Sequence, residues 1–360
     1  MKKAIYFFQY LPPWRVDVFN RMAEYYDLTL VFFNADLEGF TYDRSALVSK
    51  LKGIDVRFLT KGFNVGSRPV RFGIASILKE IRPDVVFVHE YSTISASLAF
   101  LKRRFGYRLY ITTSDTLDLA EGSSGLKAAS RQYVLRRSEG IVLYSAEVEA
   151  FYKVHFPWLK TGICPNIQDP SSILSLRGSF ENPLQDGSRV ILFIGRLVQV
   201  KALELLFDAF AAVEHKGYKL VLVGEGPEKD NLQRQAERLG IADDVVFDGF
   251  RFGKDLYQWY DRADFLVLCS RHETFGAVIN EALVLGCPVL ASKYIGALVF
   301  INETNGIVFD PLDPAGFRSA LEAAMHRFPS HAEGGPREVL LGESFDEAVK
   351  TFKTIDDDSK

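Results

Sequence analysis

Cysteine is scarce: three in 360 residues, Cys164, Cys269 and Cys287. They are odd in number, far apart and form no Cys-x-x-Cys. That argues against a disulfide framework and a zinc site, and for a reducing compartment. No run approaches the ~18 apolar residues that a membrane-spanning helix needs. The start, MKKAIYFFQYLPPWR, has the lysines and apolar run of an export signal, but Pro12 and Pro13 cut it short and no small-residue cleavage site follows, so it reads as a first buried strand. No G-x-x-x-x-G-K-S/T occurs, which argues against a P-loop, and Gly224-Glu225-Gly226 stops short of a full G-x-G-x-x-G. A short-period repeat is also lacking. No Asp-x-Asp pair stands at a strand end, so no metal is needed to explain the chemistry expected below.

What is present is ordinary for a globular chain: 48% hydrophobic and 25% charged residues. The length suggests about two domains. The net charge of −3 is unevenly spread. Residues 1–165 carry 23 Lys and Arg against 16 Asp and Glu, and the remainder carries 20 against 30. A basic half beside an acidic half suggests that the first half meets something anionic.

Short apolar runs alternate with helical patterns along the whole chain. In the first half they fall at 4–8, 28–33, 54–59, 85–88, 108–112 and 140–144. Between them lie helices near Val18 to Tyr25, Arg68 to Ile81, Ser95 to Arg104, Leu126 to Arg137 and Ala146 to Tyr152. Residues 34–53 show no clear period. Residues 166–187, rich in Pro, Ser, Asp and Gly, read as a linker. A second series has strands at 190–194, 220–223, 245–247, 265–268, 288–291 and 306–309, then a helix at 315–328. A last amphipathic helix, 345–355, has no following strand. Strand–helix alternation means parallel sheets covered on both faces, so the fold class is α/β with two doubly wound halves.

In such sheets ligands bind outside the carboxyl ends of the strands. Four successive strands of the second half end distinctively. Ile194 leads into Gly195-Arg196 and on to Lys201, Val223 into Gly224-Glu225-Gly226-Pro227, Phe247 into Asp248-Gly249-Phe250, and Leu268 into Cys269-Ser270-Arg271-His272-Glu273. After the last, a helix starts near Gly276 and carries Glu281. Glycines allow close backbone approach. Arg196 and Lys201 are the two usual partners of phosphate oxygens. A helix start favours an anion. The residues thus read as a site for a diphosphate joined to something rich in hydroxyls, from which Glu273 and Glu281 could accept.

The second half resembles the donor domain of retaining GT-B-type glycosyltransferases, the glycosyl transferases group 1 family. The resemblance rests on FIGRLVQVK (193–201), LVGEGPEKDNL (222–232), VVFDGF (245–250) and above all SRHETFGAVINEALVLGCPVLAS (270–292), where two glutamates stand with seven residues between them. PNIQD (165–169), SFDEAVKTF (344–352) and, in the first half, PDVVFVHE (83–90) also fit. It implies the GT-B fold: two Rossmann-like domains facing across a cleft, an acceptor-side domain at 1–165, a linker at 166–187, a donor domain at 188–342, and a helix at 343–360 returning to the first domain. It implies that Arg196 and Lys201 hold the donor diphosphate and that Glu273 accepts from the transferred sugar. It gives the phosphate or sugar to the turn Thr274, Phe275 and Gly276, the ribose to Glu281, and the base to Gly249 and Phe250. Gly195 and Gly224 line the same site, and His89 matches the histidine beside the sugar.

Two positions depart from the family's pattern. Ala202 stands where glycine is usual, and Pro12-Pro13-Trp14-Arg15 replaces a Gly-Gly pair. Arg15 is therefore expected to serve the anion or the acceptor instead, and the acceptor is expected on the first half, near Arg15, His89 and Asp115. The expected partners are a nucleotide sugar, a glycan or lipid-linked acceptor and an anionic membrane surface, with no nucleic acid and no cofactor. The basic residues considered for that surface are Arg68, Arg71, Lys102, Arg103, Arg104, Arg131, Arg136 and Arg137. The expected place is the cytoplasm, peripheral on the inner membrane face, in polysaccharide, lipopolysaccharide or lipid-linked glycan synthesis. A nucleotide-sugar epimerase, a phosphorylase and a non-catalytic sugar-binding protein remain alternatives.

Overall fold

The computed structural model describes residues 1–34, 44–65, 68–122, 124–184, 186–273 and 275–357. The chain forms two compact units. The first comprises Met1–Ile167 together with Phe345–Lys360, and the second Gln168–Ser344.

The first unit is built on a seven-stranded parallel sheet. Its strands are β1 (Lys2–Phe8), β2 (Tyr26–Phe32), β3 (Asp55–Phe58), β6 (Val85–His89), β7 (Arg108–Thr112), β8 (Gly140–Leu143) and β9 (Lys160–Ile163). A separate antiparallel pair is β4 (Gly62–Val65) and β5 (Arg68–Arg71). The sheet order is β3-β2-β1-β6-β7-β8-β9. The order reverses between β1 and β6, which makes their carboxyl ends a switch point. The central strands are buried on both faces, as a helix-covered parallel sheet requires. One face packs Ile5, Phe7, Val86, Val88, Ile111 and Leu98 into a single apolar cluster.

The other face is closed by the helix Phe345–Thr354, whose Phe345, Ala348, Val349 and Phe352 are buried at helical spacing. Phe352 meets Tyr6 and Phe87 at ring separations of 6.1 and 5.4 Å. Beyond it, Asp356 accepts from Lys2 at 2.8 Å and pairs with Arg108 at 2.7 Å. Two glycines let this helix come close. A Cβ on Gly162 would sit 2.5 Å from Thr351 Cγ2, and one on Gly140 would sit 3.1 Å from Ile355 Cδ1, just past the end of the helix.

The second unit is a six-stranded parallel sheet of β10 (Arg189–Ile194), β11 (Tyr218–Val223), β12 (Val245–Gly249), β13 (Phe265–Leu268), β14 (Val289–Ser292) and β15 (Gly306–Phe309). Its order, β12-β11-β10-β13-β14-β15, reverses between β10 and β13. Both sheets therefore repeat one doubly wound topology, in agreement with the GT-B fold class.

Three expectations fail locally. The stretch 68–81 is not one helix: Arg68–Arg71 pairs with Gly62–Val65, and the helix covers only Ile74–Ile81. Gly73, at φ 101°, lies outside helical space, and Arg71 is tied instead to Phe33 O at 2.7 Å and Asn34 Oδ1 at 3.1 Å. The stretch 166–187, expected to be irregular, contains a helix, Pro170–Leu176, started by Asp169, whose Oδ1 accepts from Ser171 N at 2.9 Å with proline in the first turn. The edge strand β9 was not expected; its four residues, one of them Gly162, give too short an apolar run to stand out. Of the aperiodic 34–53, Arg44–Ser49 is helical, and 35–43 lies outside the described residues.

Candidate functional site

In the second unit the turns after β10, β11 and β12 lie against one another. Gly224 N donates to Gly249 O at 2.7 Å, and Gly195 N to Val223 O at 3.0 Å. A Cβ on Gly224 would fall 1.9 Å from Gly195 O, and one on Gly226 would fall 2.2 Å from Leu197 O. Gly224 is thus glycine because a neighbouring turn occupies the space of a side chain, a cause that a strand-end motif does not reveal. Arg196 is exposed on the first of these turns.

At the switch point, Lys201 and Glu273 form an ion pair. Lys201 ends the short turn Gln199–Lys201 after β10, and Glu273 lies in the loop after β13. The two loops are joined by Arg271 N to Val200 O at 2.8 Å and by Cys269 Sγ to Lys201 O at 3.1 Å. On its other side the Glu273 loop bridges to the segment after β14: Glu273 N donates to Tyr294 O at 3.0 Å, and Gly296 N to Glu273 O at 3.1 Å. Held on both sides, the Glu273 carboxylate has a fixed origin. Ala202, where glycine is usual, takes the left-handed conformation at φ 54°.

Gly276, at φ 92°, turns the chain into the helix Ala277–Val284. Phe275 buries its ring against Phe300 at 5.7 Å, so its side chain is an anchor and only its backbone can meet a ligand. Thr274 lies outside the described residues. Glu281 accepts from Tyr260 Oη at 2.8 Å, and burial pushes its carboxyl up to about 7. Tyr260, on the helix Lys254–Arg262, was not anticipated; nothing in the sequence relates it to a glutamate 21 positions later. Phe250 is 71% exposed and stacks at 6.2 Å on Phe252, itself 76% exposed and also unanticipated.

The first unit's switch point holds His89. Its ring stacks on Phe8 with centroids 4.1 Å apart and planes 4° apart. Tyr144 stacks more loosely at 6.5 Å. Nδ1 lies 3.1 Å from Thr112 Oγ1, and Nε2 lies 3.6 Å from Glu90 Oε1. Burial first, then the charge of Arg15, pushes the His89 imidazole down to about 3, so it is neutral at physiological pH. Glu90, at φ 64°, holds its carboxylate by accepting from Ser114 N at 2.8 Å, Ser114 Oγ at 2.7 Å and Thr113 Oγ1 at 2.9 Å.

The two residues expected on the acceptor side, Arg15 and Asp115, point inward. Arg15 is buried, donates to Tyr144 Oη at 2.8 Å and lies 5.2 Å from that ring's centroid. Asp115 pairs with Arg131 and accepts from Tyr152 Oη at 2.8 Å. Arg131 is buried between the rings of Tyr91 and Tyr152, at 4.6 and 5.6 Å. It is therefore no part of a basic outer surface, a correction to the sequence-based expectation. Lys102 is likewise engaged, with Glu139 and with Arg137 O. Arg103, Arg104 and Arg136 are exposed.

Among the described residues, no group of three or more His, Cys, Asp or Glu is placed to hold a metal, and no helix is long and apolar enough to cross a membrane. The second unit offers glycine turns, a lysine–carboxylate pair, an exposed arginine and a helix start around one switch point. That set suits a ligand with an anionic centre and flanking hydroxyls.

Residues 177–333 match the family described as "Glycosyl transferases group 1". An uncharacterized glycosyltransferase of Methanocaldococcus jannaschii is 39% identical over 133 residues, 36% of this chain and 34% of that protein. The alpha-monoglucosyldiacylglycerol synthase of Streptococcus pneumoniae is 33% identical over 137 residues, 37% of this chain and 31% of that protein. The chain thus spans about a third of the length of these curated relatives. Among solved structures, Anabaena HepE in complex with UDP and glucose has a TM-score of 0.65 at 21% identity, covering 99% of this chain and 97% of that one. At that identity the likeness concerns the fold.

Proposed function

We propose that the chain is a retaining glycosyltransferase of the glycosyl transferases group 1 family, whose pattern residues 177–333 match. It moves a sugar from a nucleoside-diphosphate sugar to an acceptor hydroxyl. The observation that carries this reading is the Lys201–Glu273 pair at the switch point, beside three glycine turns and the helix start at Gly276. Lys201, Arg196 and the helix start meet the charge that develops on the leaving nucleoside diphosphate, a preorganised electrostatic contribution. Glu273 accepts from hydroxyls of the transferred sugar. Glu281 accepts from the ribose, and the turn at Gly249 and Phe250 receives the base. HepE's structure with UDP and glucose supports this class of donor.

Departure and attack take place on the same face of the sugar, with His89 positioning it rather than acting as nucleophile. Domain limits of 1–165, 166–187, 188–342 and 343–360 belong to the same reading. The acceptor is a glycan or lipid-linked glycan; a relative named for a glucosyldiacylglycerol supports the lipid. The enzyme works at the cytoplasmic membrane face. Exposed Phe100, Arg103 and Arg104 on the helix Thr93–Phe105 support contact with anionic lipid.

Transfer and donor hydrolysis over a panel of nucleotide sugars test the activity. One donor should be turned over, and a response to free sugars alone in thermal-shift assays would favour the binding protein instead. Vesicle sedimentation tests the membrane part, which fails if anionic vesicles are not bound even at low salt.

A further inference from the structure

At the switch point of the first unit, three polar side chains stand in line across the sheet edge. Tyr6 Oη is 2.7 Å from Thr112 Oγ1, and Thr112 Oγ1 is 3.1 Å from His89 Nδ1. All three residues are buried, Tyr6 and Thr112 completely. Among the described residues Tyr6 Oη has no other hydrogen-bond partner, and Thr112 Oγ1 bonds only Tyr6 and His89. Buried hydroxyl protons need acceptors. One arrangement supplies them all: Tyr6 donates to Thr112, and Thr112 donates to His89 Nδ1. If Nδ1 carried the proton, either the Tyr6 or the Thr112 hydroxyl hydrogen would be left without an acceptor.

The opposite side of the ring agrees. Nε2 faces Glu90 Oε1 at 3.6 Å, and that carboxylate is already held as an acceptor by Thr113 and Ser114. A lone pair on Nε2 would face a carboxylate oxygen, whereas an N–H there is attracted to it. The positive charge of Arg15 lies near Tyr6 as well, and it favours presenting the tyrosine oxygen toward itself and the proton toward Thr112. Phe8 fixes the plane of the imidazole by stacking on it.

The geometry points to Tyr6 and Thr112 as positioning residues that lock His89 in its Nε2–H form, so that the histidine presents a hydrogen-bond donor at the sheet edge. His89 thereby addresses an oxygen of the bound ligand, a sugar hydroxyl or phosphate oxygen, and takes no proton from the acceptor. The role toward ligand rests on the glycosyltransferase reading above; the tautomer does not.

Long-range proton–nitrogen correlation spectra of the full chain labelled with 15N-histidine test the tautomer, with His89→Asn identifying the signal. Wild-type His89 should show a protonated Nε2 and a bare Nδ1. Thr112→Val should convert it to the Nδ1–H form or a mixture, and Thr112→Ser should restore the wild-type pattern. Tyr6→Phe, which removes a single hydroxyl, should also produce a mixture and serves if Thr112→Val does not fold. Nδ1–H in the wild type, or a wild-type pattern in Thr112→Val, overturns the inference; if that variant does not fold, a wild-type pattern in Tyr6→Phe does so. With a donor in hand, Thr112→Val should lower kcat on the order of tenfold with KM nearly unchanged. Full turnover in His89→Asn would instead refute the glycosyltransferase role of His89 and leave the tautomer result standing.

Discussion

Single residues carry the sharpest consequences. Burial lifts the Glu281 carboxyl from 4.5 to about 7. Below about pH 4.5 it is protonated in the folded and unfolded chain alike. Between there and about 7 the unfolded chain releases the proton and the folded chain keeps it, so stability declines as pH rises through that window. Glu281→Gln should therefore melt higher than wild type at pH 8, by a few degrees for about 1 kcal/mol, and no higher at pH 4; equal melting at both values would reject the assignment. Donor affinity should show the reverse trend, rising as the carboxylate forms. The Asp115–Arg131 pair gives a second test. Removing one partner of a buried ion pair strands the other, at a cost of about 3–5 kcal/mol. Arg131→Met should lower the melting temperature accordingly, whereas a surface arginine facing lipid would leave it unchanged. The sequence placed Lys201 and Glu273 on turns of separate strands, and the reversal of strand order between β10 and β13 brings them together. It could not reveal that Arg15 and Asp115 turn inward, because their partners Tyr144, Arg131 and Tyr152 lie on elements far along the chain.

At the scale of elements, the buried strands were the most legible, since a strand covered on both faces reads as an unbroken apolar run. Pieces whose form depends on distant contacts were not. The β4–β5 pair hides among residues that also fit a helical period, and only the attachment of Arg71 to the end of β2 decides the matter. Helix starts give further predictions. Ser92 caps the helix Thr93–Phe105 in a reciprocal box with Ser95, so Ser92→Ala should cost about 1 kcal/mol in denaturant unfolding. The helix Phe345–Thr354 has a larger role. Deleting 345–360 uncovers Tyr6, Phe87 and Tyr26, and strips Lys2 and Arg108 of Asp356. Each large apolar side chain lost from such a site removes about 1.5–3 kcal/mol, so this truncation should abolish cooperative melting of the first unit. A sharp transition in the truncated chain would show that the helix is dispensable.

For the molecule as a whole, alternation of strand and helix was enough to indicate two doubly wound sheets, because few other architectures bury such a pattern. The activity is a further step, and two substitutions bear on it. Arg196→Ala and Glu273→Ala should each reduce transfer by at least on the order of a hundredfold while circular dichroism and melting stay close to wild type; near-normal turnover in either would sink the proposed role.

The helix that closes the first unit is encoded after the second unit, so Gln168–Ser344 interrupts its host. This bears on how the protein is made. At roughly 5–20 residues per second, the ribosome needs on the order of ten to thirty-five seconds to traverse the inserted stretch. Throughout that interval the nascent first sheet waits with one aromatic flank bare, whereas by its end the inserted unit has every strand it requires. Biogenesis should thus run from the inside outward, with the later segment folding first and the earlier one last. Stalled or prematurely terminated chains should bind chaperones through the half that was synthesised first.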